Sequence, residues 1–186
     1  MAAQNQSIWD LVDVKNKDIN EAAGVSLNAR QKLAVGSVLD LFEGHPSLKH
    51  LALWNPKGTF QDPIALAEGY DRFAAQWYGL PALFDHIAIQ SHKVTDGGNP
   101  IFLELSNKYV LKGIKKEQLI HSVVRINLAL DGRIDAVEDR WNDKLPNNSV
   151  SEVLRKLSAS ITSNLIKVPS TEEEDNLMKA ERRQQE

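Results

Sequence analysis

Three sets of side chains in this 186-residue chain are of types that do chemistry. The first is Asp62, which precedes Pro63 at the end of the short extended run Thr59-Phe60-Gln61. A carboxylate there either caps the backbone of the turn it opens, as Asp before Pro commonly does, or moves a proton for a ligand. The residues alone leave both readings open. The second set is the five histidines. His45 and His50 flank a helical piece in a loop-rich region and read as surface residues. His86 and His92 share a strand face opposite Ile87 and Ile89, so they read as solvated or as interface residues. His121 lies in a long strand beside Ser122. The third set is Glu138-Asp139-Arg140, near a strand end, which reads as a charge ladder with neighbouring strands.

What is missing narrows the chemistry. There is no cysteine, which excludes disulfides, thiol catalysis and zinc sites of the Cys type. No His-x-His or Glu-x-x-His spacing occurs in the strand regions, so neither a metal nor a cofactor is expected. The net charge of −3 comes without a basic stripe, so no nucleic-acid partner is expected. No apolar run approaches the roughly eighteen residues of a membrane span. The first residues lack the basic flank and apolar core of a secretory signal, and a cytoplasmic location is the expectation.

The elements that must position these groups follow from pattern. Residues 1–25 form an N-terminal arm in which Ile8, Trp9, Leu11, Val12 and Val14 either dock or fray. Ser26 reads as a helix cap. Leu33, Gly36, Leu39 and Phe42 then recur at helical spacing until Gly44-His45-Pro46. A short helical piece follows over 46–52. Asn55-Pro56-Lys57-Gly58 is a turn signal. A second helix over about 68–80 carries Tyr70, Phe73, Gln76, Trp77 and Leu80 on one face. Residues 86–142 alternate as four antiparallel strands, with a hairpin at Asp96-Gly97-Gly98-Asn99. In the third of these, Ile120, Ser122, Val124, Ile126 and Leu128 form one face, and His121, Val123, Arg125 and Asn127 the other. The apolar face belongs against the helices, which sends His121 and Arg125 outward. Ser149-Val150-Ser151-Glu152 is a capping box, opening a helix with Val153, Leu157, Ile161 and Leu165 in register. Residues 169–186 are a charged tail, read as disordered or as a solvated helix.

Helices on one face of a curved antiparallel sheet make an α+β fold. Trp54, Phe60-Gln61-Asp62-Pro63, Gly69, Gln76-Trp77, His121-Ser122-Val123-Val124-Arg125, Asp131-Gly132-Arg133-Ile134 and Val137-Glu138-Asp139-Arg140-Trp141 resemble the nuclear transport factor two-like superfamily. Within it they resemble the SnoaL-like branch of fungal type, over residues 26–168. The resemblance implies a cone: N-terminal helices packed on a curved four-stranded sheet, plus a C-terminal helix. It also implies a pocket walled by Trp54, Phe60, Tyr70, Phe73, Trp77, Val124 and Trp141, taking a small hydrophobic ligand. The resemblance makes Asp62 the match to a proton-moving carboxylate. It implies a homodimer through the outer sheet face, where His121, Arg125 and Asn127 lie.

The chain departs from the ketosteroid isomerases of that superfamily. Residues 27–42 contain no Tyr, and the position of the protonated acid corresponds to Ser122. The candidate catalytic set is therefore Asp62 and Ser122, with His121 as the histidine nearest in sequence. The expected function is binding of a small hydrophobic ligand, or service as a dimeric module without catalysis. The alternative is a cofactor-free lyase, isomerase or cyclase on a hydrophobic carbonyl compound, with Asp62 as acid or base.

Overall fold

A computed structural model describes residues 12–113, 115–142, 149–162 and 166–184. The first helix, α1 (Ala29–Phe42), starts at Asn28 rather than Ser26. The Asn28 side chain accepts the Gln31 N–H while the Gln31 side chain returns to the Asn28 N–H, a reciprocal capping box. From Leu33 to Phe42 every residue of α1 is buried. An ordinary amphipathic helix buries one stripe; this one is covered on a second side by the arm. Val12 and Val14 pack with Leu33. The Asp40 carboxylate fastens the arm by accepting the Lys15 N–H at 2.7 Å, the Asn16 N–H at 3.0 Å and the Asn16 side-chain amide at 2.7 Å. Gly36 permits this approach, because a Cβ there would lie 2.4 Å from the Asn16 carbonyl oxygen. Of the apolar arm residues, Ile8, Trp9 and Leu11 lie outside the described residues.

After α2 (Leu48–Leu51) come β1 (Trp54–Gln61), β2 (Leu66–Glu68), α3 (Tyr70–Gly79) and a single turn of 3-10 helix, Leu80–Ala82. The long strands are β3 (Phe84–Asp96), β4 (Ile101–Leu111), β5 (Glu117–Leu128) and β6 (Ile134–Trp141), followed by α4 (Ser149–Thr162) and α5 (Glu172–Arg183). The sheet is curved, unclosed and six-stranded, in the order β2-β1-β6-β5-β4-β3. The expectation of four strands is therefore corrected: β1 adds to β6 in parallel, and β2 pairs antiparallel with β1. Pro56 concealed β1. It falls in the irregular stretch between Trp54 and Thr59, where the register with β6 shifts, one of the few places a strand tolerates proline.

Register shifts also bend β3, at Phe84/His86, Ile89/Ser91 and Val94/Asp96, as bulges do. They separate the two histidines expected on one face. His86 pairs with Val110, whereas His92 pairs with Leu105 and its Nε2 accepts the Asn20 N–H at 3.1 Å. The arm continues along this edge, where Glu21 bridges Val94.

Two further expectations change. His50 is buried, 3 % exposed, with Nδ1 2.9 Å from the Ser37 hydroxyl. The charged tail forms α5, capped by the Thr171 side chain. Its Asp175 is only 2 % exposed, because donors from separate elements converge on it: the Tyr78 hydroxyl at 2.7 Å, the Leu48 N–H at 3.1 Å and Lys179 at 3.3 Å. A run of four acidic residues looks solvated until one of them finds such partners. In α4, the side chains of Leu157 and Ile161 lie outside the described residues, as does Leu165.

Candidate functional site

The inner face of the sheet is set by alternation. Along β4 the inward residues are Ile101, Leu103, Leu105, Asn107, Tyr109 and Leu111. On β5 they are Ile120, Ser122, Val124 and Ile126. Cross-strand partners share a face. Val124 pairs with Asp139, and Ser122 with Trp141, so Val137, Asp139 and Trp141 face inward on β6. On the other side of β6 the parallel register with β1 is Phe60 with Val137 and Gln61 with Glu138. Asp62 follows directly after the last paired residue of β1, and Asp139 directly after its partner on β6; the Asp139 charge is felt at Asp62.

Each carboxylate is held and left incomplete. Asp62 Oδ1 accepts the Ile64 N–H at 2.8 Å and the Ala65 N–H at 2.6 Å. This is the turn-capping role, and it uses one oxygen only; Oδ2 receives no hydrogen bond from the described residues. Asp139, 6 % exposed, accepts the Trp141 indole N–H on Oδ2 at 2.8 Å. Its Oδ1 is buried without a donor. The Ser122 hydroxyl sits near enough to favour the ionised form of Asp139, but no hydrogen bond of normal geometry joins it to Oδ1. The expected charge ladder exists without Asp139: Glu138 takes Arg125 at 3.1 Å and Arg140 at 2.8 Å on the outer side.

Burial pushes Asp62 up to about 7; the Ile64 and Ala65 N–H groups oppose the shift, and the Asp139 charge adds to it. Burial also pushes Asp139 up to about 6, against the opposing pull of Ser122 and Trp141. Both shifts come first from burial, and the Asp139 charge is a smaller contribution to that of Asp62. Near neutral pH Asp139 is the ionised member, and Asp62 is divided between acid and carboxylate.

Two more buried polar residues continue this strip across the inner face. Asn107, 2 % exposed, donates to the Phe42 carbonyl at 2.8 Å and to the Tyr109 hydroxyl oxygen at 3.0 Å. Its own Oδ1 is buried without a donor. The Tyr109 hydroxyl proton has no acceptor among the described residues. Burial raises the Tyr109 pKa, and the charges of Asp139 and then Asp62 raise it further, so the phenol stays neutral and within electrostatic reach of the acid pair. Buried polar atoms in native proteins are nearly always satisfied. The strip holds two orphans, on Asp139 and Asn107, and the packed aromatics hold two more, the indole N–H groups of Trp54 and Trp77.

No family model matches the chain, and no curated protein matches it. Among solved structures it is similar to a steroid delta-isomerase from Pseudomonas aeruginosa, with TM-score 0.55 and 16% identity over 76% of this chain and 98% of that one. It is also similar to an NTF2-like protein from Anabaena variabilis, with TM-score 0.54 and 17% identity over 66% and 97% of the two chains. The fold is NTF2-like.

Within this NTF2-like fold the residues singled out from sequence separate into three groups. Asp62 and Ser122 reach the inner face together. His121 does not: it is exposed on the outer face, where β5 alternation puts it, so the catalytic role entertained for it is corrected. The expected pocket walls are corrected too. Trp54 is 1 % exposed, Phe60 2 %, Phe73 0 %, Trp77 1 % and Val124 0 %. Each offers little or no surface to solvent. They pack on one another: Trp54 stacks on Phe73 with centroids 4.8 Å apart, and Phe60 lies 4.6 Å from Trp77. Tyr70 turns its ring edge to Phe73 at 5.5 Å and feels the charge of Asp175. Of the seven, Trp141 alone makes a hydrogen bond to the acid pair.

Asp139, Asn107 and Tyr109 were missed as site residues. The signal was present for all three. Placing Trp141 inward places Asp139 inward, two residues back, and Asn107 interrupts an apolar alternation from Ile101 to Leu111.

Proposed function

We propose that this NTF2-like chain moves a proton on a small carbonyl compound without a cofactor, with Asp62 and Asp139 as an acid–base pair. One observation carries the reading: the parallel β1–β6 register brings Asp62 within electrostatic reach of Asp139, and each has an oxygen without a hydrogen bond of normal geometry from the described residues. Asp139, ionised first, holds the proton on Asp62; Asp62 gives that proton to a ligand oxygen or, once ionised, takes one from carbon. The Tyr109 hydroxyl and a protonated carboxyl are donors suited to a developing oxyanion. Asp139 stands on the strand beside Ser122 but is the ionised member, so the protonated carboxyl is Asp62, and the hydroxyl absent from α1 is supplied by Tyr109 on β4. The turn N–H bonds hold Asp62 in one orientation, which such a transfer needs. The packed aromatics below the pair confine the ligand to the polar strip, so a compact polar carbonyl compound suits it better than a large apolar one. The SnoaL-like placement of fungal type belongs to this proposal, and rests on the motif residues from Trp54 to Trp141.

The second reading, a dimeric module without catalysis, has its own support. Both hydrogen bonds of Asp62 go to its own turn. On the outer face Leu119 is 44 % exposed, and Arg125, over the Phe102 ring at 5.6 Å, has a buried Nε without an acceptor. Dimerisation through this face is proposed for either reading, and a strict monomer at micromolar concentration in sedimentation overturns it.

Deuterium exchange separates the readings. Small ketones and aldehydes in D2O are incubated with the chain and with Asp62→Asn, and label at the α-carbon is read by mass spectrometry. Exchange that the substitution lowers at least 100-fold supports the acid–base reading. No exchange above buffer across the set, or equal exchange by the variant, favours the module.

A further inference from the structure

A second polar site lies where the two ends of the described chain meet, and shares no residue with the acid pair. The arm (Val12 to Lys15), the turn Pro46-Ser47 and the last turns of α5 enclose a cavity of about 50 Å3. That is room for a few waters or one small anion, and far below the roughly 300 Å3 of a cofactor or drug-sized site. Four cations line it: Lys15 from the arm, and Lys179, Arg182 and Arg183 from α5. Two carboxylates also line it, Asp13 and Asp40. Asp40 is already occupied by the Lys15 and Asn16 N–H groups and the Asn16 amide. Lys179 leans on Asp175 at 3.3 Å, and Arg182 donates to the Pro46 carbonyl at 3.2 Å. The formal lining charge is thus positive by two, four cations against two carboxylates.

Basic residues in the last turn of a helix complement its dipole, which accounts for their presence on α5. It does not account for their convergence with Lys15 on one small cavity. Nor does it account for Ser47 in the wall. Ser47 is 3 % exposed, and its oxygen accepts the His50 N–H at 3.1 Å. Its hydroxyl proton has no acceptor among the described residues. His50, whose pKa burial and then the Lys179 charge push down to about 4, is neutral near pH 7 and lets the positive field stand.

We propose that this cavity binds a tetrahedral oxyanion of phosphate type, either the free ion or the end group of a phosphomonoester. The Ser47 hydroxyl and the Lys15, Lys179 and Arg183 side chains are the donors, and the anion ties the arm to α5. Charge-assisted bonds to such an anion are the strong kind, and binding to the folded chain alone raises its stability.

The test titrates the full chain with inorganic phosphate, and separately with ethyl phosphate, at ionic strength held constant with sodium chloride. Phosphorus NMR line width reads binding, and the unfolding midpoint reads linkage. The comparison variant is Lys15→Met with Arg183→Met, two exposed positions whose loss leaves the core intact. Saturable broadening and a saturable midpoint rise, each weakened at least 10-fold in the variant, are expected. Broadening by both probes identifies a phosphomonoester site, and by phosphate alone a free-ion site. No saturable response, or the same response in the variant, overturns the proposal; the latter is what exclusion of phosphate from protein surfaces would give.

Discussion

Asp62 feels the charge of Asp139 because β1 and β6 run parallel: Gln61, the last residue of β1, pairs with Glu138, and an aspartate follows each. Antiparallel pairing would have set these strand ends at opposite ends of the ladder. The acid pair therefore depends on how the extended run Thr59-Phe60-Gln61 pairs with β6, which the sequence did not indicate.

The pair makes stability depend on pH in a stated direction. Burial holds Asp62 near 7 and Asp139 near 6, both above the unfolded value of 3.8. The folded chain therefore keeps protons that the unfolded chain releases. From these groups, stability is greatest below about pH 4, falls as pH rises to about 7, and is level beyond. Asp62→Asn keeps the Oδ1 acceptor for Ile64 and Ala65 and removes the ionisation. It should stabilise by about 1–3 kcal/mol at pH 8 and change little at pH 4, measured as urea midpoints across pH.

Packing and ligand-lining make opposite predictions for Phe60. Its ring is 2 % exposed and sits between Phe42 and Trp77. Phe60→Ala should cost about 3–5 kcal/mol in denaturant unfolding. A cost under 1 kcal/mol would return Phe60 to a pocket wall.

Arm docking depends on the missing Cβ of Gly36. Gly36→Ala drives a methyl into the Asn16 carbonyl, so either the arm lifts or α1 shifts. A loss of about 1–3 kcal/mol is expected, with faster tryptic cleavage after Lys15 and Lys17. Unchanged cleavage and stability would mean that the arm is not held against α1.

Anchoring of α5 rests on Asp175. Asp175→Ala strands the Tyr78 hydroxyl in a buried setting and the Leu48 N–H in a partly buried one. A loss of about 2–4 kcal/mol is expected, with faster hydrogen exchange across residues 172–183. Slow exchange there in the variant would show that apolar contacts alone hold the helix.

Much of this fold was legible because alternation and helix period report burial directly. β4 spans Ile101–Leu111 and β5 Glu117–Leu128, both inside the 86–142 stretch whose alternation reads as strands. What pattern does not report is the partner. Pairing of Trp54–Gln61 with a strand some eighty residues away follows from no local signal, and Pro56 cut the expected extended run to Thr59-Phe60-Gln61. Of the site, Asp62 and Ser122 were visible as residue types on the right faces. Asp139 was lost to its neighbours: Glu138 and Arg140 do form the outer ladder, and a charged triplet reads as one feature even though alternation divides it between two faces. The aromatics were visible as a cluster, yet whether a cluster encloses space or fills it depends on depths that spacing does not encode. The buried Asp175 was hidden in the same way, by an acidic run whose other members are solvated.

Carboxyl carbon-13 NMR across pH, in the native chain and in Asp139→Asn, tests the acid pair most directly. The pair should titrate in two steps, near 6 and near 7, and in Asp139→Asn the Asp62 step should move down as the neighbouring charge disappears. Two carboxyls titrating near 4, or an Asp62 step that ignores Asp139, would contradict a shared proton between them.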